Sequence, residues 1–218
     1  MIEKSTYYHK YKKYKNKYLN KKRNMNKDNI LTPSHFYIVH ATVSYDSLIN
    51  ILKEGKIKPG KDLPKKYRKW GGDQDLDVIF TNIYFPEIDN LSHLQDFTLI
   101  LHPKLLMDYD GYFNEVWQGG IGQNSQKLGK DDNAKILQEK LNKIKKFLKS
   151  PESLPKGLQT LSGFMMHELV FNRSIEIKDY LIGIECNFCD EKQLDKIKKL
   201  VKDDVKILSV NYPLPRFD

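Results

Sequence analysis

Cysteine is nearly absent from this sequence: Cys186 and Cys189 are the two in 218 residues. A small secreted domain stapled by disulfides carries more. A lone Cys-x-x-Cys pair supplies half of the four ligands a structural zinc takes, so no metal site is expected. Long apolar runs are missing as well. None approaches the ~20 residues of a membrane span, and the charged N-terminus lacks the apolar stretch of a signal peptide. The Walker phosphate loop, the Rossmann glycine fingerprint and the Gly-x-Ser-x-Gly elbow are absent. His167-Glu168 is not a His-Glu-x-x-His zinc motif, because Val170 and Phe171 follow. Together these absences point to a soluble protein of a reducing, intracellular compartment, the cytoplasm or nucleus of a cell.

Acidic residues are scarce at one end. Residues 1–28 hold ten Lys/Arg against Glu3 and Asp28, a net +8. The remainder holds twenty-seven against twenty-six, a net +1, so the chain's +9 belongs to its N-terminus. A whole-chain reading as a nucleic-acid binder would be misled by this segment. Within it, Tyr7, Tyr11, Tyr14 and Tyr18 recur every three or four residues, the spacing of one helix face. The expected helix over 4–23 has two readings. Its tyrosines pack on the domain or on a partner chain, or its mixed aromatics and lysines meet nucleic acid or another anionic partner. Residues 24–33 read as a linker. The expected organisation is a basic Tyr/Lys-rich extension over 1–28 and one domain over 29–218.

What remains is 39% apolar, enough for a core. Phe36 to Val39, Val78 to Phe85, Phe97 to Leu101, Glu168 to Asn172, Tyr180 to Cys186 and Val205 to Val210 read as strands. Ser44 opens a helix closed by Gly55. Residues 134–149 and 190–202 form two more, the first with Ile136, Leu137, Leu141, Ile144, Phe147 and Leu148 inward. Residues 58–75, with Trp70-Gly71-Gly72, and 111–133, with Trp117-Gln118-Gly119-Gly120, read as long loops, and loops of this kind carry specificity. His93 and His102 are expected at the surface or in loops. Short strands with helices between them make an α+β fold.

Three segments carry the chemistry. Val39-His40-Ala41-Thr42 leads into a helix ending Ile51-Leu52-Lys53-Glu54-Gly55-Lys56-Ile57-Lys58-Pro59. Asn82-Ile83-Tyr84-Phe85-Pro86 ends a strand. His167-Glu168-Leu169-Val170-Phe171 opens another, with Asp179-Tyr180-Leu181 following. In order and coarse spacing they resemble the ADP-ribosyltransferase superfamily of the His-Tyr-Glu type, over about residues 36–186. Ala41 stands where that family has Gly, Pro86 where it has a small residue, and no toxin-type Ser-Thr-Ser strand is present. The Tyr/Lys run also looks like those of giant DNA virus proteins.

The resemblance implies a mixed, mostly antiparallel split β-sheet core with flanking helices, and NAD as substrate. It implies a transfer of ADP-ribose to a protein or nucleic-acid acceptor. Breaking the nicotinamide–ribose bond builds positive charge on the sugar, as in glycoside cleavage. A carboxylate there stabilises it, and Glu168 is the candidate. Tyr84 is the candidate to stack on nicotinamide, with Phe80 or Tyr37 as a second face. His40, with Thr42 beside it, is the candidate to fix the adenosine ribose, and Ala41 stands where the backbone approaches nicotinamide. Two other classes stay open. An RNA 2′-phosphotransferase shares that fold and would be indifferent to Glu168. A non-catalytic binding module would need residues 1–28 and no NAD.

Overall fold

The structure is a computed structural model that describes residues 3–42, 44–64, 76–88, 97–115, 119–149 and 167–208, with the side chains of residues 3–11 outside that description. Trp70-Gly71-Gly72, His93, Trp117 and Gln118 lie outside the described residues.

Helix α1 spans Glu3–Ile30. Strand β1 is Tyr37–Thr42, with Phe36 to Val39 fully buried. Helix α2, Tyr45–Glu54, forms where expected and for the expected reasons. Ser44 caps it, its Oγ accepting from the Ser47 amide at 3.2 Å. Leu48, Ile49 and Leu52 bury one stripe, and Gly55 ends it at φ 67°, where a side chain would be strained.

The strands that follow are β2, Lys56–Ile57; β3, Ile79–Tyr84; and β4, Phe97–Leu101. A short helix α3, Leu105–Asp108, precedes β5, Gly111–Asn114, and β6, Gln126–Leu128. Helix α4 is Ala134–Lys149. It buries Leu137, Leu141, Ile144 and Leu148 at intervals of four, three and four residues. Ile136, expected inward, is 41% exposed because it falls off that stripe. Strands β7, Glu168–Phe171, β8, Ile175–Glu176, and β9, Leu181–Cys186, come next. Helix α5, Glu191–Lys198, carries an Asp190/Gln193 capping box, and β10, Lys206–Leu208, ends the described chain.

Among the described residues eight strands form one sheet in the order β10-β9-β4-β1-β3-β7-β5-β6, and β2 pairs with β8 apart from it. Among the described strands every pairing is antiparallel except β10 with β9. The sheet is split at β3. Asn82 to Tyr84 pair with Tyr37 to Val39 of β1, whereas Ile79 to Thr81 pair with Leu169 to Phe171 of β7. Beyond Val39, β1 and β3 part company. The expected α+β fold, with a mostly antiparallel split sheet and flanking helices, is the one observed.

One sheet face carries the main core, including Ile38, Ile79, Ile83, Leu99, Phe113, Leu169, Phe171 and Ile184 under the helices. The other carries a smaller cluster of Tyr37, Val39, Tyr84 and Ile100.

Two expectations are corrected here. Residues 111–133 are not one loop: they contain the β5–β6 hairpin. Residues 24–30 are not a linker: they continue α1, and Lys27 is 1% exposed. Lys27 Nζ donates to the carbonyls of Gly129 at 2.8 Å and Lys130 at 3.0 Å. Arg23 Nε donates to the Asp132 carbonyl at 3.1 Å. Burial, then the Arg23 charge, lower the Lys27 pKa, against the pull of Asp132, Asp131 and Asp110. Tyr14 and Tyr18 are 69% and 66% exposed, so they do not pack on the domain.

Candidate functional site

The second face of the sheet follows from alternation along each strand. Phe80 and Tyr112 both sit opposite Val170. One step along, Asn114 sits opposite Glu168 on one side, and the same register continued by one residue sets Asn82 on the other. Two cross-strand rows result: Phe80–Val170–Tyr112, and Asn82–Glu168–Asn114. An acid thus lies between two amides, next to a strip of two half-buried rings.

Glu168 is 7% exposed. Its alternation with Val170 does not bring it to solvent, because Val170 is itself fully buried. Asn114 Nδ2 lies 3.4 Å from Glu168 Oε2 and donates to the Gly120 carbonyl at 2.8 Å. Asn114 Oδ1 accepts from Ser125 Oγ at 2.5 Å. Asn82 Nδ2 donates to the His167 carbonyl at 2.6 Å, tying β3 to the start of β7. His167 turns to the main core, its ring 6.0 Å from Phe113. A carboxylate in this setting is shielded from water, where its field acts more strongly on a nearby charge.

His40 sits where β1 and β3 separate. Its Nδ1 donates to the Phe80 carbonyl at 2.8 Å. That bond fixes the tautomer and leaves Nε2 as an acceptor. Burial lowers the His40 pKa, outweighing the opposing carbonyl bond, so the ring is neutral near pH 7. Ala41 pairs with Thr98 of β4. Thr42 is buried, its Oγ1 donating to the Ser44 carbonyl at 3.3 Å.

Tyr84 lies in the smaller cluster on the second face of the sheet. It is 1% exposed, and its ring stacks on Tyr37 with centroids 6.1 Å apart and planes 15° apart. Val39 and Ile100 belong to the same cluster as these two rings. Phe80, half-buried and one row from Glu168, has the more open ring.

The structure therefore brings Phe80 and Glu168 onto one face of the adjacent strands β3 and β7, whereas His40, opposite Leu99 and in step with Ile38, leaves β1 on the main-core side and reaches the Phe80 carbonyl at the split. Asn82 and Asn114 were not singled out from sequence. Asn114 sits in a stretch whose Gly, Asn and Gln content hides the strand alternation that would have marked it. Glu185 was also missed. It is 3% exposed on β9, opposite Thr98, and Oε2 has no hydrogen-bond partner among the described residues. Burial raises its pKa against a hydrogen bond with Asn187. Among the described residues no group of three or more His, Cys, Asp or Glu is placed to hold a metal. Cys186 and Cys189 are joined as a disulfide across the turn between β9 and α5.

Comparison with known proteins adds three likenesses. Uncharacterized protein R11 of Acanthamoeba polyphaga mimivirus is 38% identical over 235 aligned positions, covering 100% of this chain and 85% of that protein. Among solved structures, Thermus sp. 2.9 DarT in complex with carba-NAD+ is similar with a TM-score of 0.46 at 12% identity, covering 82% of this chain and 96% of that one. Thermosipho africanus DarTG in complex with ADP-ribose gives 0.43 at 12% identity, over 80% of this chain and 49% of that one. No helix among the described residues is long and apolar enough to cross a membrane. A family model matches residues 34–151, from the start of β1 to the end of α4. On that match and the viral relative, the chain belongs to the family of unknown function DUF5846.

Proposed function

We propose that the chain is an NAD-dependent ADP-ribosyltransferase that moves ADP-ribose to a protein or nucleic-acid acceptor and releases nicotinamide. The observation that carries this reading is Glu168, a buried carboxylate set between Asn82 and Asn114 on the strand next to the split in the sheet. A carboxylate held by Asn114 in a water-poor setting acts strongly on a positive charge that develops beside it during reaction.

In the proposed reaction the bond between nicotinamide nitrogen and ribose C1′ breaks, and the electron pair leaves with nicotinamide. The sugar becomes oxocarbenium-like, and the Glu168 carboxylate offsets that charge. An acceptor oxygen or nitrogen then bonds C1′, and its proton passes to solvent. Asn114 holds the carboxylate's orientation. Phe80, with Tyr112 across Val170, offers the apolar surface for nicotinamide. Tyr84 and Tyr37 support the sheet beneath. His40 presents Nε2 as acceptor for a ribose hydroxyl, and the Ala41 backbone lies beside it.

The test uses NAD labelled in its adenylate half, incubated with the full chain and with protein and single-stranded nucleic-acid acceptors. Wild type is expected to transfer label, and Glu168→Gln is expected not to. Gln keeps the size and a hydrogen-bonding end but removes the charge. Equal labelling by both proteins contradicts the role of Glu168. No labelling by either, in the presence of both acceptor classes, contradicts the activity.

A further inference from the structure

We propose that the outer face of α1 is a docking surface for single-stranded nucleic acid, an inference that does not depend on the NAD chemistry. The argument begins with how the helix is held. Arg23 and Lys27 dock it to the turn at 129–132. Arg23 lies nine residues after Tyr14, and Lys27 nine after Tyr18, about two and a half turns in each case. Each tyrosine therefore points away from the anchored side. Met25, eleven residues after Tyr14 and seven after Tyr18, returns to the tyrosine side. All three are open: Tyr14 69%, Tyr18 66% and Met25 60% exposed.

The charge around this stripe has one sign. Residues 12–22 are all exposed and include Lys12, Lys13, Lys15, Lys17, Lys21 and Lys22. No Asp or Glu occurs between Glu3 and Asp28. On the helical wheel Lys17 and Lys21 flank the stripe on one side and Lys15 and Lys22 on the other. Rings flanked by cations match a strand whose bases are free to stack and whose phosphates need neutralising. A duplex offers the phosphates but hides its base faces, so it has no use for the rings. A membrane-surface helix needs a broad apolar face of Leu, Phe or Trp to sink into lipid, and a narrow stripe of tyrosines with one methionine does not make one. A protein partner would need an acidic groove along several turns, and nothing in the helix selects for one.

Fluorescence anisotropy on the full chain reads this directly, with labelled oligo-dT and oligo-U of about 20 nucleotides and a duplex of equal length. Wild type is expected to bind the single strands more tightly than the duplex. The double variant Tyr14→Leu/Tyr18→Leu keeps the charge and is expected to lose tenfold or more on single strands and about twofold or less on duplex. Changing Lys15, Lys17, Lys21 and Lys22 to Gln is expected to weaken both and to lower the slope of log affinity against log salt by about 3. Neither variant touches Arg23 or Lys27, and an unchanged melting temperature confirms that the arm stays docked. Wild-type affinity in the tyrosine variant overturns the proposal. So does binding only to phosphatidylserine vesicles, or tyrosine-dependent self-association without oligonucleotide binding.

Discussion

Glu168 and Glu185 are two acids on the same face of one sheet, and their surroundings give them opposite expected behaviour. Glu168 has an amide on either side and a strip of rings beside it. Glu185 has one oxygen with no partner among the described residues, and burial raises its pKa. A folded-state pKa above the unfolded value means that the native state binds the extra proton. Stability is then full below about pH 4.5 and is lost as pH rises through the raised value. Glu185→Gln is therefore expected to stabilise the fold near pH 7, on the order of 1 kcal/mol, or about 2–4 °C in Tm. The gain should vanish near pH 4 in thermal melts across that range. A destabilised variant at pH 7 would show that the carboxylate is satisfied after all. Asn114→Ala removes the amide that meets Glu168, Gly120 and Ser125. It is expected to lower kcat for nicotinamide release ten- to a hundredfold, with a smaller change in KM, since misplacing a reacting group by about 1 Å costs on that scale. Glu168 and His40 could be nominated from the sequence because the motifs around them resemble a known pattern. Asn114 could not, because an Asn in a polar stretch reads as a turn. Tyr84 was legible as a buried strand residue, and its place against Tyr37 depends on a partner strand forty residues away.

At the scale of elements, apolar periodicity decided what could be read. Helices α2 and α4 show stripes at three- and four-residue intervals, and their ends fall where Ser44, Gly55 and Asn133 put them, Asn133 Oδ1 accepting from the Ile136 amide. The strands β1, β3, β4, β7 and β9 are runs of apolar residues and stand out. The β5–β6 hairpin does not, since Gln126 and Lys127 are polar, half-buried residues of an edge strand and interrupt any pattern. The last turns of α1 are hidden for a related reason. Asn24, Asn26 and Asn29 give no helix signal, and the residue that anchors them is a lysine. Lys27→Met keeps the length of the side chain but leaves the Gly129 and Lys130 carbonyls without their donor. The expected cost is about 1–3 kcal/mol, with amide exchange in α1 speeding up before that in the sheet. Unchanged protection of α1 would place its anchorage elsewhere. The turn itself has little freedom. A Cβ on Gly129 would lie 2.9 Å from the Asp110 Cα and on its carboxylate.

Over the whole molecule, two features share one hairpin. Its Asn114–Ser125 end meets Glu168, and its Leu128–Gly129 end receives Lys27 of the basic arm. Three residues of β6 separate them, about 10 Å of strand. The basic helix runs through the expected boundary at residues 28 and 29 and joins the core at Leu31. The split sheet sets Phe80 and Glu168 on neighbouring strands although they are dispersed over the sequence, with the His40 ring bonded to the Phe80 carbonyl at the split, and the proposed chemistry depends on that arrangement. The most direct measurement is steady-state release of nicotinamide from NAD by wild type and Glu168→Gln. If the carboxylate acts on charge that develops only as the bond breaks, kcat should fall a hundredfold or more while KM stays within a few-fold. A variant with unaltered kcat, or one whose defect lies wholly in KM, would contradict that account.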